Sequence, residues 1–287
     1  MTRSPRKMLV AAAGCAIAFV VLLVIAYRVA PARWADAAAL DGFARLRDPT
    51  LGWYADPIAR LCDPMPFAAM AIALLVVAYI VRGPRHVAAV TLLLVTANLT
   101  SQLLKPALAY SRVSPDWPRA ADVAPAAFPS GHATASMTLA LGALMIAPRA
   151  LRPLVAALGG VFALLVAFST LILGWHYPSD VVGGYLVATG WCLVVLAALR
   201  TAAARWPDRG ELRRAALDAV PAPPPRAFAG LAVLLVTVAG IAVAGRAGQL
   251  AGYLDRHTWA AVVAVAIAAC ATGLVAAVTA LDGQRRR

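Results

Sequence analysis

The chain has 287 residues, of which 62% are hydrophobic and 14% charged, and its formal net charge is +13. Those proportions exclude an ordinary soluble globular domain and place the chain among integral membrane proteins. Its apolar runs are continuous instead of alternating and rich in Ala, Leu and Val, which favours helices over strands and predicts an all-α, polytopic membrane helix bundle.

A bilayer core takes about 20 apolar residues per helix, and eight segments meet or approach that length. The first, Met8–Tyr27, follows Arg3, Arg6 and Lys7 and precedes a small-residue "APA" at Ala30–Ala32, as a signal peptide would. Its apolar stretch is longer than a signal core, so it reads as a retained helix. The connection Arg28–Pro66 reads as an extracytoplasmic loop holding Cys62, which an impermeant thiol reagent should reach if the loop leaves it exposed. Cys15, Cys192 and Cys270 fall in apolar segments, so the four cysteines read as packing residues and not as a disulfide framework. The second span, Phe67–Val81, is the shortest; the third, Val87–Leu104, ends at Lys105. The fourth, Gly131–Ala147, opens on "FPSGHATAS" (Phe128–Ser136), and the fifth, Leu154–Leu173, rises to "STLILGWHYPSD" (Ser169–Asp180). The sixth is Val181–Leu199. A basic stretch, Arg200–Arg226, with "PAPPP" at Pro221–Pro225 then leads to two further spans, Ala227–Gly245 and Thr258–Leu281. The expected organisation is a six-helix core in residues 1–199, a cytoplasmic linker in 200–226, and two added helices with a basic tail in 227–287.

With eight spans, one side of the membrane receives both termini, the turns holding Arg82/Arg85 and Arg149/Arg152, and the 200–226 stretch. That side carries 16 of the 26 Lys and Arg residues. The positive-inside rule makes it cytoplasmic and puts both termini inside a bacterial cytoplasmic membrane. Arginines distributed as topology signals form no nucleic-acid surface, so the expected partners are the membrane and a lipid.

The other side collects the chemistry. His132 and His176 are 44 residues apart, room for two helices of about 30 Å and the tight "PRALRP" turn, so both surface on the same face. In "PSGH" (Pro129–His132), Pro129 stops the incoming loop, Ser130 can cap, and Gly131 lets a ligand approach the backbone. The free N–H groups of the following helix then favour an anion such as phosphate. Lys105 and Arg112 add fixed positive charge. Asp180, four residues after His176, can reach the imidazole from the first turn of the sixth helix, fix its tautomer and support positive charge on it. One oriented histidine can attack phosphorus while a second protonates the departing oxygen. Singly, Ser130 and Asp180 read as helix caps, Lys105 as a snorkelling anchor and Arg112 as a solvated loop charge; their convergence carries the functional reading. Trp175, Tyr177, Tyr110 and Trp259 read as aromatic-belt residues, and His86 and His257 as structural or interfacial.

The series Lys105-x6-Arg112, Pro129–His132 and Ser169-x6-His176-x3-Asp180 resembles the three-part signature of the type 2 phosphatidic acid phosphatase family, shared with vanadium haloperoxidases, over about Val87 to Leu199. The resemblance implies His176 as a nucleophile that forms a phosphohistidine, Asp180 as its orienting carboxylate and His132 as general acid. It also implies that Lys105, Arg112, Ser130 and the Gly131 backbone hold the phosphoryl oxygens, with no metal and no cofactor. The substrate so implied is a lipid phosphate or diphosphate of the undecaprenyl diphosphate, phosphatidic acid or phosphatidylglycerol phosphate type. Two positions depart from the pattern: Val113 stands where the family has Pro, and Thr170 where it has Arg. Arg119 is the candidate auxiliary cation. Two alternatives stand beside hydrolysis: a lipid phosphotransferase, and a lipid-binding or transport protein whose chemistry the change at Thr170 has weakened.

Overall fold

A computed structural model describes residues 3–47, 49–112, 116, 123–206, 252–253 and 255–283. Every regular element among them is helical. Nine α-helices carry the described fold: α1 (Arg3–Arg28), α2 (Ala30–Arg45), α3 (Pro49–Arg60), α4 (Pro64–Arg82), α5 (Pro84–Ala107), α6 (Gly131–Ile146), α7 (Arg152–Ile172), α8 (Pro178–Arg205) and α9 (Thr258–Gly283). Among the described residues, six stretches are long and apolar enough to cross a membrane: Pro5–Arg28, Pro64–Arg82, Pro84–Ala107, Arg149–Ile172, Pro178–Arg205 and Thr258–Leu281. They match the first, second, third, fifth, sixth and eighth expected spans. The sixth continues through Arg205, past the boundary expected at Leu199. The seventh expected span, Ala227–Gly245, lies outside the described residues, as do Arg119 and most of the 200–226 linker.

The fourth span differs in length, since α6 has only 16 residues. Thirteen of them are buried, enclosed by α4, α5, α7 and α8. A helix surrounded by protein needs no full lipid-facing length, provided its terminal backbone groups find partners. Ser130 Oγ accepts from the Ala133 N–H at 3.3 Å at one end. At the other, Arg82 donates to the carbonyls of Ile146 and Ala147 at 2.8 Å each. Around this central helix, α1 lies along α8, α5 packs on α6 and α8, and α4 packs on α5. Met137, Leu141, Tyr185 and Leu193 lie in the resulting core.

The stretch Arg28–Pro66 is not a loop. It forms α2 and α3, at the end of the bundle that holds His132 and His176. α2 is Ala-rich with Pro in its first turn, both compatible with a helix start, and an Asp41–Arg45 pair at 2.6 Å braces one turn. It buries Ala37 to Phe43 and packs against α1, α7, α8 and α9, while α3 lies on α7.

Cys62, between α3 and α4, is buried with Ala135 and Val166, and burial pushes its thiol up to about 12. The exposed loop on which labelling of Cys62 depends is therefore absent at this position: thiolate is scarce and access is closed. A membrane-impermeant maleimide should leave Cys62 largely unmodified in spheroplasts while labelling a cysteine placed at exposed Arg47. A cysteine at exposed Arg205, at the opposite end, should react only after permeabilisation. The reverse order for Arg47→Cys and Arg205→Cys would invert the expected orientation.

Candidate active site

The first turn of α8 sets the height of the "PSGH" loop. The Ser130 N–H donates to the Asp180 carbonyl at 2.9 Å. Phe128, fully buried, packs beside the rings of Phe19 and Tyr27 at 5.2 and 5.8 Å. This contact needs glycines on α8: a Cβ on Gly183 would lie 2.9 Å from the Phe128 ring, and one on Gly184 2.6 Å from the Ser130 carbonyl oxygen. A glycine pair inside an apolar span carries no such information in sequence. Gly184→Ala should therefore lower stability by about 1–3 kcal/mol through overpacking, read by thermal unfolding in detergent. An unchanged melting temperature would show that loop and helix can separate freely.

His132, the second residue of α6, and His176, in the turn between α7 and α8, face each other with ring centroids 6.0 Å apart at an interplanar angle of 61°. The turn passes through Gly174 at φ +74°, a conformation that favours glycine. His176 is buried. Its Nδ1 lies 3.5 Å from Asp180 Oδ2, an ion-pair separation, and makes no hydrogen bond. His132 has a carboxylate of its own, with Nε2 3.3 Å from Asp63 Oδ1. Trp175, expected in the aromatic belt, instead places its ring 5.4 Å from that of His132.

Asp180 is shared. Its Oδ1 accepts a hydrogen bond from Arg112 Nη2, and its Oδ2 accepts from the Tyr177 N–H at 2.9 Å, capping α8. Arg112 Nη1 donates to Ser179 Oγ at 2.9 Å and lies 3.4 Å from Asp36 Oδ2. Asp36, on α2, accepts from the Ser179 N–H at 3.0 Å and from the Ser179 hydroxyl at 2.6 Å. Tyr177, also expected in the belt, is buried with its ring 4.1 Å from the Arg112 guanidinium, and its hydroxyl donates to the Arg112 carbonyl at 3.1 Å. Arg112 is thus the counter-ion of two carboxylates, with its Nε–H and second Nη2–H uncommitted among the described residues.

Burial pushes the Asp36 carboxyl up to about 6, against the opposing pull of Arg112. Between about pH 4 and 6 the folded chain therefore holds a proton that the unfolded chain has released. The contribution of Asp36 to stability is fully present below that window and lost as pH rises through it. Wild type measured against Asp36→Asn should lose about 3 kcal/mol across the window; a flat difference would contradict the burial of this carboxylate.

Lys105, in the last turn of α5, brings Nζ to 3.2 Å from where a Gly131 Cβ would stand, and Gln102, one turn earlier, brings Nε2 to the same distance. Both side chains line the N-terminus of α6. Gln102 was not among the candidates from sequence; its i, i+3 spacing from Lys105 was the available signal. The Ser130 hydroxyl accepts from its own helix at Ala133. Thr170 is fully buried and donates to the Ala167 carbonyl at 2.8 Å. Of the expected residues, Lys105, Arg112, Ser130, Gly131, His132, His176 and Asp180 gather at one end of the bundle, while Arg119 is not among the described residues. Asp36, Asp63 and Gln102 join them.

Residues 86–204 match the PAP2 superfamily. Over 71 residues the chain is 39% identical to the undecaprenyl-diphosphatase BcrC of Bacillus subtilis strain 168, a match covering 25% of this chain and 33% of that protein. The chain thus spans about a third of that relative's length. The crystal structure of the first transmembrane PAP2 type phosphatidylglycerolphosphate phosphatase from Bacillus subtilis superposes with a TM-score of 0.54 and 22% identity, covering 65% of this chain and 94% of that one. A likeness at that identity establishes the fold. Asp36 and Asp63 both precede the matched segment.

Proposed function

We propose, from the match of residues 86–204 to the PAP2 superfamily and from the membrane-length helices around it, that the protein is a lipid phosphatase working without a metal ion. The observation that carries the reading is the pair of facing imidazoles, 6.0 Å apart, each with a carboxylate beside it and with the Lys105 ammonium next to Gly131. A phosphoryl group set between the rings meets a nucleophile on one side and a proton donor on the other.

His176 attacks phosphorus through Nε2 while Asp180, facing Nδ1, stabilises the charge that develops on the ring. The P–N bond forms, the P–O bond to the leaving group breaks, and His132 gives its proton to the departing oxygen. Water then attacks the phosphohistidine, His132 takes up the proton that water loses, and phosphate leaves as the P–N bond breaks. Lys105, Gln102 and the α6 backbone N–H groups receive the phosphoryl oxygens, whose charge increases in the transition state. Arg112 reaches them through its uncommitted N–H groups and holds Asp180 in place. Gln102 supplies a neutral donor in a site whose Thr170 position carries no cation.

The substrate class is a lipid with a terminal phosphate or diphosphate, of the undecaprenyl diphosphate, phosphatidic acid or phosphatidylglycerol phosphate type. Its support is the site's place at one end of a bundle of membrane-length helices and the activities of the two similar proteins. The division of basic residues read from the sequence, 16 of 26 on the side of the two termini, supports an extracytoplasmic face for the site, with both termini in the cytoplasm.

The test is phosphate release by purified protein in mixed micelles from these three lipids, with His176→Ala as control. Release by wild type alone, persisting in EDTA because side chains and a helix terminus supply the positive charge, is the expected result. A folded wild type inert on all three would overturn the reading, and a strict magnesium requirement would overturn the charge assignment.

A further inference from the structure

We infer that Asp63, at the head of α4, is the positioning residue that orients His132 as proton donor; the inference rests on the phosphatase reading. Asp at a helix N-cap ordinarily turns its carboxylate onto the helix's own free N–H groups. Asp63 occupies the N-cap of α4, yet its side chain makes no such bond. The carboxylate reaches across helices instead, with Oδ1 at 3.3 Å from His132 Nε2 and Oδ2 at 3.8 Å from Arg60 Nη1. Arg60 is itself fixed by Asp56 at 2.6 Å and lies 5.9 Å over the Trp175 ring, the same ring that flanks His132. The chain Asp56–Arg60–Asp63–His132 thus braces the imidazole from α3 and the α3–α4 corner, outside the PAP2 segment.

The other charged groups facing His132 are Lys105 from α5 and His176 ahead of α8, with Asp180 behind it. Burial, a charged His176 and Lys105 all oppose a proton on His132, and Asp63 offsets them in part. Asp63 is the carboxylate in direct contact with its ring. In the reaction Asp63 exchanges no proton: it holds Nε2–H while His132 delivers the proton of its other nitrogen to the leaving oxygen. The need for that proton scales with the basicity of the leaving oxygen. A lipid monophosphate expels an alkoxide and depends on it strongly; a lipid diphosphate expels a phosphate monoester and depends on it weakly. Asp63 therefore extends the enzyme's range toward monophosphates.

Asp63→Asn and Asp63→Ser both keep an N-cap former and are compared with wild type and His176→Ala on phosphatidic acid and undecaprenyl diphosphate. With the Asn and Ser variants, kcat on phosphatidic acid should fall about 10²-fold and on the diphosphate less than about threefold, with KM nearly unchanged on both. The alkaline limb of the pH profile, read on whichever lipid turns over, should move to lower pH, and Asp63→Glu should recover much of the lost turnover. Equal losses on the two lipids, a change in KM alone or an unmoved alkaline limb would overturn the inference while leaving the phosphatase reading intact. A wild type inert on every lipid would remove that reading first.

Discussion

His176→Ala should reduce lipid phosphate turnover to background, a loss on the order of 10⁴-fold or more, because in the proposed mechanism it deletes the atom that bonds to phosphorus. Among the described residues no other group stands in that place: His132 faces it across 6.0 Å and is braced by Asp63, and Asp180 is committed to Arg112 and the Tyr177 N–H. The fold should survive, since His176 makes no hydrogen bond through Nδ1 and truncating one side chain costs about 1–3 kcal/mol. Phosphate release together with a melting curve separates the two effects. Turnover within tenfold of wild type would sink the assignment of the nucleophile.

Arg112→Ala should be the most destabilising single change at the site, by about 3–5 kcal/mol, because it strands buried carboxylates. Asp180 is fully buried and Arg112 only 4% exposed through its side chain; Asp36 depends on the same guanidinium. Removing the cation leaves Asp180 ionised in an apolar surrounding or forces it to protonate, and a protonated Asp180 no longer supports charge on His176. Turnover should fall with stability. The double variant Arg112→Ala/Asp180→Asn should be more stable than Arg112→Ala alone, since the stranded charge is gone. An Arg112→Ala protein as stable as wild type, or a double variant with strictly additive losses, would show that the pair is not coupled.

Much of this organisation is written in the chain. Long apolar runs announce the spans because lipid imposes a length that few other environments demand, and the residue types of the "PSGH" stretch announce the helix start that the structure has at Gly131. What was hidden has physical reasons. α2 and α3, at 16 and 12 residues, are too short and too polar for a span, so they read as loop until neighbours cover them. Asp36 meets Ser179 across 143 positions and Asp63 meets His132 across 69; no periodicity links residues so far apart. Arg112 exposed a different limit. The properties that suit a guanidinium to phosphate suit it equally to carboxylates, and only packing reveals that Asp180 and Asp36 hold it. Tyr177 likewise reads as a belt aromatic until Arg112 is placed over its ring.

The covalent intermediate is the central claim, and rapid-quench trapping tests it most directly. Purified protein mixed with a lipid diphosphate labelled in its terminal phosphoryl group, then quenched in alkali within one turnover, should carry label that survives alkali and is released by acid, as a phosphohistidine does. Peptide mapping should place it on His176, and His176→Ala should carry none. A wild type that turns over under these conditions without ever carrying label, or a His176→Ala protein that still becomes labelled, would contradict the account.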